Sequence, residues 1–257
     1  MKFIYFLLLL SNSIWSSNPP KAIFVNSFEK SKGQLLAVDL EGNFTTYSEQ
    51  NVRTNIGHQS FKYGSLNTGI ISQADQFTPL QTALLFRDFN QLIVLDDRLS
   101  ELAKIDFNAL LPFRDVSHIA MAGSNQIWIF DALSQTLQKF DFFQQNVLAA
   151  TNRITEPVRT IQSNTTYCWA LTANNLWQFN SQGGLIKKMD MPNFQNFILG
   201  DGFIILCNPN GYFLLQKSSE KPQKIIFDKM FSGSFFLQGQ TLYIYDEKTI
   251  HEYLITF

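Results

Sequence analysis

An all-β fold built as a single β-propeller is predicted by three observations. The first is a strand motif that recurs six times and ends each time on Asp or Asn: Leu35–Asp39, Leu92–Asp96, Ile127–Asp131, Leu176–Asn180, Ile204–Asn208 and Leu242–Asp246. The closing residues are 57, 35, 49, 28 and 38 apart, a mean period of about 41, which is blade-sized. The second is that each copy follows another apolar strand and precedes an amphipathic one. The third is the turn chemistry between them.

The strand types follow from burial. Ala83–Phe86, Ile119–Met121 and Tyr167–Leu171 precede their motif copies and are almost wholly apolar, as strands covered on both faces must be. Thr136–Asp141 and Leu185–Met189 follow theirs and alternate polar with apolar residues, as strands nearer water do. Sandwiched inner strands and a wetter outer strand are the anatomy of a blade. Glu41-Gly42-Asn43, Ser181–Gly184 and Asn208–Gly211 are turns, because Gly and Asn tolerate positive φ and Asx side chains bond nearby backbone. That same chemistry accounts for the six closing Asx residues without invoking a metal. Six blades fit the period, with seven as the alternative if residues 65–71 form part of a degenerate extra blade. Closure is expected from the termini: Ala22–Val25 pairs with the C-terminal strand Ile250–Ile255, so that no edge is left open.

Composition fits one large core. The 257 residues are 45% hydrophobic, and 25 phenylalanines fall mostly in the strand runs, where they would pack between blades. A net charge of −1 with 16% charged residues supplies no field for a nucleic-acid backbone, so no nucleic-acid partner is expected. Met1-Lys2, the apolar Phe3–Leu10 and the small-residue zone Ser11–Ser17 read as a signal peptide over 1–17, too short to span a bilayer, with the propeller over 18–257. Export to the periplasm or an outer-membrane-associated site follows, with no transmembrane segment in the mature chain. Cys168 and Cys207 occupy non-matching strand positions and are expected as free thiols.

Signals for chemistry are sparse. His58, His118 and His251 have no ligand spacing to one another or to either cysteine, so no metal, cofactor or nucleophile–base pair is expected. Asp88 and His118 are the candidate channel residues, since His118 begins an inner strand and Asp88 follows another. The candidate interface residues are Phe61, Tyr63, Phe142, Phe143 and Phe194, aromatic side chains outside the main strand motifs. Trp128 and Trp177 are expected at equivalent places in successive blades, facing the same inter-blade side.

The units Asn125–Asp131 with Thr136–Asp141, and Ala83–Asp96, resemble blades of exported WD40-like or YncE-like propellers of a type found in Bacteroidota. No unit carries the Gly-His and Trp-Asp pair of true WD40 repeats, so that side-chain network is not carried over. The resemblance implies a rigid, non-catalytic platform for a protein partner in the cell envelope or an outer-membrane assembly. An envelope glycosidase or lyase working in the channel is the alternative, with any small-molecule ligand unknown.

Overall fold

The computed structural model describes residues 19–30, 33–38, 42–64, 69–78, 80–217, 219–231 and 233–257. The expected signal segment, Asp39 and residues 65–68 lie outside them. The strands are β1 (Lys21–Glu29), then blade 1 with β2 (Gln34–Val38), β3 (Phe44–Tyr47), β4 (Val52–Ile56) and β5 (Gln59–Tyr63). Blade 2 holds β6 (Gln73–Thr78), β7 (Gln81–Phe86), β8 (Gln91–Asp96) and β9 (Glu101–Asp106), and blade 3 holds β10 (Val116–Met121), β11 (Gln126–Asp131), β12 (Thr136–Asp141) and β13 (Asn146–Ala150). Blade 4 is β14 (Val158–Ser163), β15 (Tyr167–Thr172), β16 (Asn175–Asn180) and β17 (Leu185–Asp190); blade 5 is β18 (Asn196–Leu199), β19 (Phe203–Asn208), β20 (Gly211–Gln216) and β21 (Gln223–Lys224). After β22 (Ile226–Phe227), blade 6 is β23 (Ser234–Gln238), β24 (Thr241–Tyr245) and β25 (Thr249–Thr256), completed by β1.

Each blade is an antiparallel meander whose strands pair in chain order. The first strands of successive blades contact one another around a closed circle, β2, β6, β10, β14, β18, β23 and back to β2. The ring therefore has six blades. The 57-residue gap that raised a seventh is filled by β3, β4 and β5 of blade 1 and by β6 and β7 of blade 2.

The apolar motif does not keep one place in the blade. Its copies fall on the first strand in blade 1, on the second in blades 3, 5 and 6, and on the third in blades 2 and 4. Strands in the middle of a blade are covered on both faces, while the channel-lining β6 and β14 are polar and partly exposed, so an apolar run marks a buried strand without ranking it, and the irregular spacing of the copies follows. Trp128 on β11 and Trp177 on β16 are accordingly not equivalent. They approach the blade 3–4 interface from opposite sides and share one cluster with Phe130, Leu137 and Phe179.

Alternation along each strand divides side chains between the two neighbouring interfaces. Leu84, Phe86, Ile93 and Leu95 of blade 2 pack towards blade 1, whereas Leu85, Leu92 and Val94 pack towards blade 3. The six apolar clusters are thus the six inter-blade contacts. Turns meet the edges closely: Gly183 at φ +82° lies against blade 3, where a Cβ would stand 2.3 Å from the Ala150 carbonyl oxygen. The closing Asx residues perform the turn chemistry expected of them. Asp96, Asp131, Asn180, Asn208 and Asp246 each accept backbone N–H bonds from the turn that follows, as Asn180 Oδ1 does from Gln182 and Gly184 at 2.9 Å.

Closure joins the chain termini. β1 pairs antiparallel with β25 from Lys21↔Thr256 to Glu29↔Thr249, with a bulge between Phe24 and Asn26. Its other edge is held by β22, parallel at Lys21↔Ile226 and Ala22↔Phe227, and by the Asp228 carboxylate, which accepts from the Phe24 amide at 3.0 and 3.2 Å. Because β21 belongs to blade 5 and β22 to blade 6, the buried Ile225 between them spans the two blades.

A chain lacking residues 1–28 is expected to lose most of the cooperative unfolding transition, since blade 6 then loses its outer strand; an unchanged melting temperature would contradict this. Trp128 is 1% exposed, and Trp128→Ala is expected to cost about 3–5 kcal/mol, the range for large aromatic truncations in cores. Trp177 is only partly buried, with the Lys188 ammonium 4.2 Å from its ring centre, so Trp177→Ala should cost less. Denaturant midpoints measure both, and the reverse order would contradict the packing.

Candidate binding site: the channel and its rim

The first strands enclose a channel of about 920 Å3 lined by residues from all six blades. They belong to separate sheets and make no ladder with one another, so their inward backbone groups need other partners. Glutamine supplies them, because its amide offers one donor and one acceptor, matching a peptide unit. Gln73 of β6 donates to the Ile119 carbonyl at 2.8 Å and accepts from the Ile119 amide at 2.9 Å on β10. Gln162 of β14 does the same to β18, donating to Phe197 O at 3.0 Å and accepting from Leu199 N at 2.9 Å. Ser163 donates back to Met121 O at 2.6 Å.

Asp75 continues the pattern of Gln73 two residues along β6, accepting from the Met121 amide at 2.6 Å. Desolvation in the channel wall pushes its carboxyl above the ordinary 3.8, against the opposing pull of the amide bonds. It is the one acidic side chain among the described residues that line the channel.

The mouth at the N-terminal ends of these strands is different. Arg87, His118 and Arg159 line it together. His118 Nε2 donates to the Arg159 carbonyl at 3.1 Å, and Nδ1 lies 3.0 Å from the Ser117 hydroxyl. Burial lowers the histidine's pKa and the nearby Arg87 charge adds to that, while the Arg159 carbonyl opposes. The Arg159 guanidinium donates across to the Phe194 carbonyl of the next blade. Among the described residues neither arginine has a carboxylate partner.

Beside this mouth, the loop from Phe107 to Asp115 and the turn Arg87–Asn90 lock together. Asn90, buried and left-handed at φ 51°, donates to Arg114 O at 2.6 Å and accepts from Val116 N at 3.0 Å. Asn108 donates to Phe89 O at 2.9 Å, and the buried Arg114 donates to Gln138 Oε1 at 2.8 Å and to Pro112 O at 2.9 Å. This pinned scaffold holds large apolar side chains in water: Leu111 is 92% exposed, Phe113 48% and Phe89 47%, with Leu133 of the next turn at 65%.

The sequence-named residues divide. His118 lies in the channel wall, but Asp88 is exposed in its turn and outside the wall, where its neighbour Arg87 stands instead. Phe142 and Phe194, named for an interface, are core residues at 1% and 6% exposure. Phe61 and Tyr63 are partly buried on β5 against the blade 1–2 cluster, and the Tyr63 hydroxyl donates to Glu101 Oε1 at 2.6 Å. Of the five, Phe143 is the exposed one, at 55%. Cys168 and Cys207 are free thiols. Sequence reasoning missed Leu111 and Phe113; the signal was an apolar Leu110–Phe113 run interrupted by proline between two strands, where strand packing could not use it.

The architecture has known counterparts. A catalytically inactive variant of virginiamycin B lyase from Staphylococcus aureus, solved with quinupristin, superimposes with a TM-score of 0.56 at 10% identity over 89% of this chain and 99% of that one. The WD40 domain of Neurospora crassa Pan2 matches with a TM-score of 0.56 at 9% identity, covering 82% and 84%. The WD40 β-propeller domain of Doa1 gives 0.54 at 10% identity over 71% of this chain, which spans 62% of that one. The fold is a WD40-like β-propeller. The sequence itself matches no protein-family model and no curated protein. At such identities the likeness carries architecture and no activity.

Asp75 gives a pH-dependent prediction. A folded pKa above the unfolded one favours the protonated form, so this stabilising contribution is full below about pH 4 and lost as pH rises through the folded value. Asp75→Asn keeps an acceptor for Met121 N and removes the buried charge. Its melting temperature should exceed wild type at pH 7, with the gap closing as pH falls towards 4; a lower value at pH 7 would mean the ionised carboxylate is needed.

Proposed function

We propose that this chain is an exported, non-catalytic interaction module of the cell envelope, in the manner of YncE-like propellers of Bacteroidota, and a subunit of an outer-membrane or secretion assembly. The observation that carries the reading is the pinned Phe107–Asp115 loop, which spends buried hydrogen bonds on holding Leu111 and Phe113 in solvent. Burying such a side chain is worth about 1.5–3 kcal/mol, and a pre-ordered loop loses little entropy when it docks. Export is supported by the pattern of Met1–Ser17. Among the described residues no helix is long and apolar enough to cross a membrane. WD40-like propellers commonly serve as interaction modules.

One observation favours a second reading. His118 stands in a polar channel with burial lowering its pKa, a setting suited to proton transfer, and a lyase shares the architecture. Turnover of a defined substrate abolished by His118→Gln would establish it.

The test of the main reading is the double variant Leu111→Ser/Phe113→Ser. It should fold with a melting temperature near wild type, since exposed changes typically stay within about 0.5 kcal/mol. A stoichiometric partner co-purifying with the wild-type chain from solubilised envelopes should be lost. Retention of that partner by the variant would remove this loop from the interface.

A further inference from the structure

Resting on the platform reading, we infer that the partner presents an acidic peptide segment, with carboxylates beside aliphatic or aromatic side chains, to the channel mouth next to the Leu111–Phe113 loop. Two features of one face meet there. Arg87 and Arg159 are exposed and line the mouth without a carboxylate partner among the described residues. Arg159 is pre-positioned by its bond to the Phe194 carbonyl, and the Arg87 backbone amide is held by Ser72 Oγ at 3.0 Å.

The apolar anchors sit on loops at the same end of the blades as these charges. Phe89 lies two residues from Arg87 in the same turn, and Phe113 leads through Arg114 into β10, whose His118 stands in the mouth. Guanidinium forks favour carboxylate oxygens through charge-assisted, bidentate bonds. A cationic or purely apolar segment would leave both arginines facing like charge or no acceptor.

The charges nearest the mouth that oppose this are the exposed Asp88 and Asp115, which sit on the same loops but outside the channel wall. Asp75 lies two residues beyond Gln73 along β6, about 7 Å deeper at 3.3 Å per residue, with its carboxylate engaged by Met121 N.

The test uses a fluorescein-labelled eight-residue peptide alternating aspartate with leucine, and a counterpart with asparagine for aspartate, titrated into the full domain by fluorescence anisotropy. The acidic peptide should bind about tenfold or more tightly than the neutral one, as expected for bonds to a charged group, and the difference should shrink as salt is raised. Arg87→Glu, whose side chain carries no packing bond, should erase the preference; Arg159→Lys, which keeps the charge but loses the fork, should reduce it. Equal binding of the two peptides, no binding of either, or an unchanged preference in Arg87→Glu would overturn the inference. Complete displacement by millimolar inorganic phosphate would also overturn it, assigning the mouth to a small oxyanion. The platform reading fails separately, if the Leu111→Ser/Phe113→Ser variant keeps its envelope partner.

Discussion

Everything in this molecule depends on the pairing of β1 with β25. A propeller blade is an open sheet, and each blade's apolar faces are covered only by its neighbours, so a ring that fails to close exposes both faces of one interface at once. Here the last blade takes its outer strand from the start of the chain, and β22 and Asp228 then hold that strand's second edge. Among the described residues the contact between blades 6 and 1 is made by buried Leu35, Val38, Tyr243, Tyr245 and Ile250, with Phe28, Phe44 and Phe236 packed against them. Closure adds backbone pairing to this apolar packing.

Inside the ring the constraint is polar. The first strands leave backbone groups facing the channel, and Gln73, Gln162 and Asp75 satisfy them across blade boundaries. These bonds tie the blades together at the axis as the apolar clusters tie them further out. A side chain engaged this way is committed to structure. What remains for recognition is the rim, where Arg87 and Arg159 have no carboxylate partner among the described residues and Leu111 and Phe113 are exposed. Rigid scaffold and exposed loops are the usual division of labour in such folds.

How much of this the sequence displayed follows from what burial patterns encode. Apolar runs located the inner strands, and Asx residues located turns, because both effects are local. The order of strands within a blade was hidden, since β7 and β8 are equally apolar and equally buried. Strands β4 and β5, Val-Arg-Thr-Asn-Ile and Gln-Ser-Phe-Lys-Tyr, carry too few apolar residues to announce themselves, and they opened the gap that suggested an extra blade. At the site, His118 could be placed from its position at a strand entrance. Asp88 could not be distinguished from Arg87, because which of two adjacent turn residues points to the axis is decided by the 3-10 turn Arg87–Phe89. Phe142 and Phe194 looked loop-borne and are core, because the ends of strands in a ring are still covered by the next blade.

The most direct test of the account is native-state hydrogen exchange on the backbone amides of β1 compared with those of β7 and β11. If closure holds the ring, paired β1 amides should exchange only through the same global opening that exposes the buried inner strands, with the same free energy and denaturant dependence. Exchange of β1 through a local, low-energy opening, with β7 and β11 still protected, would show that the ring stands without its closing strand and would contradict the account.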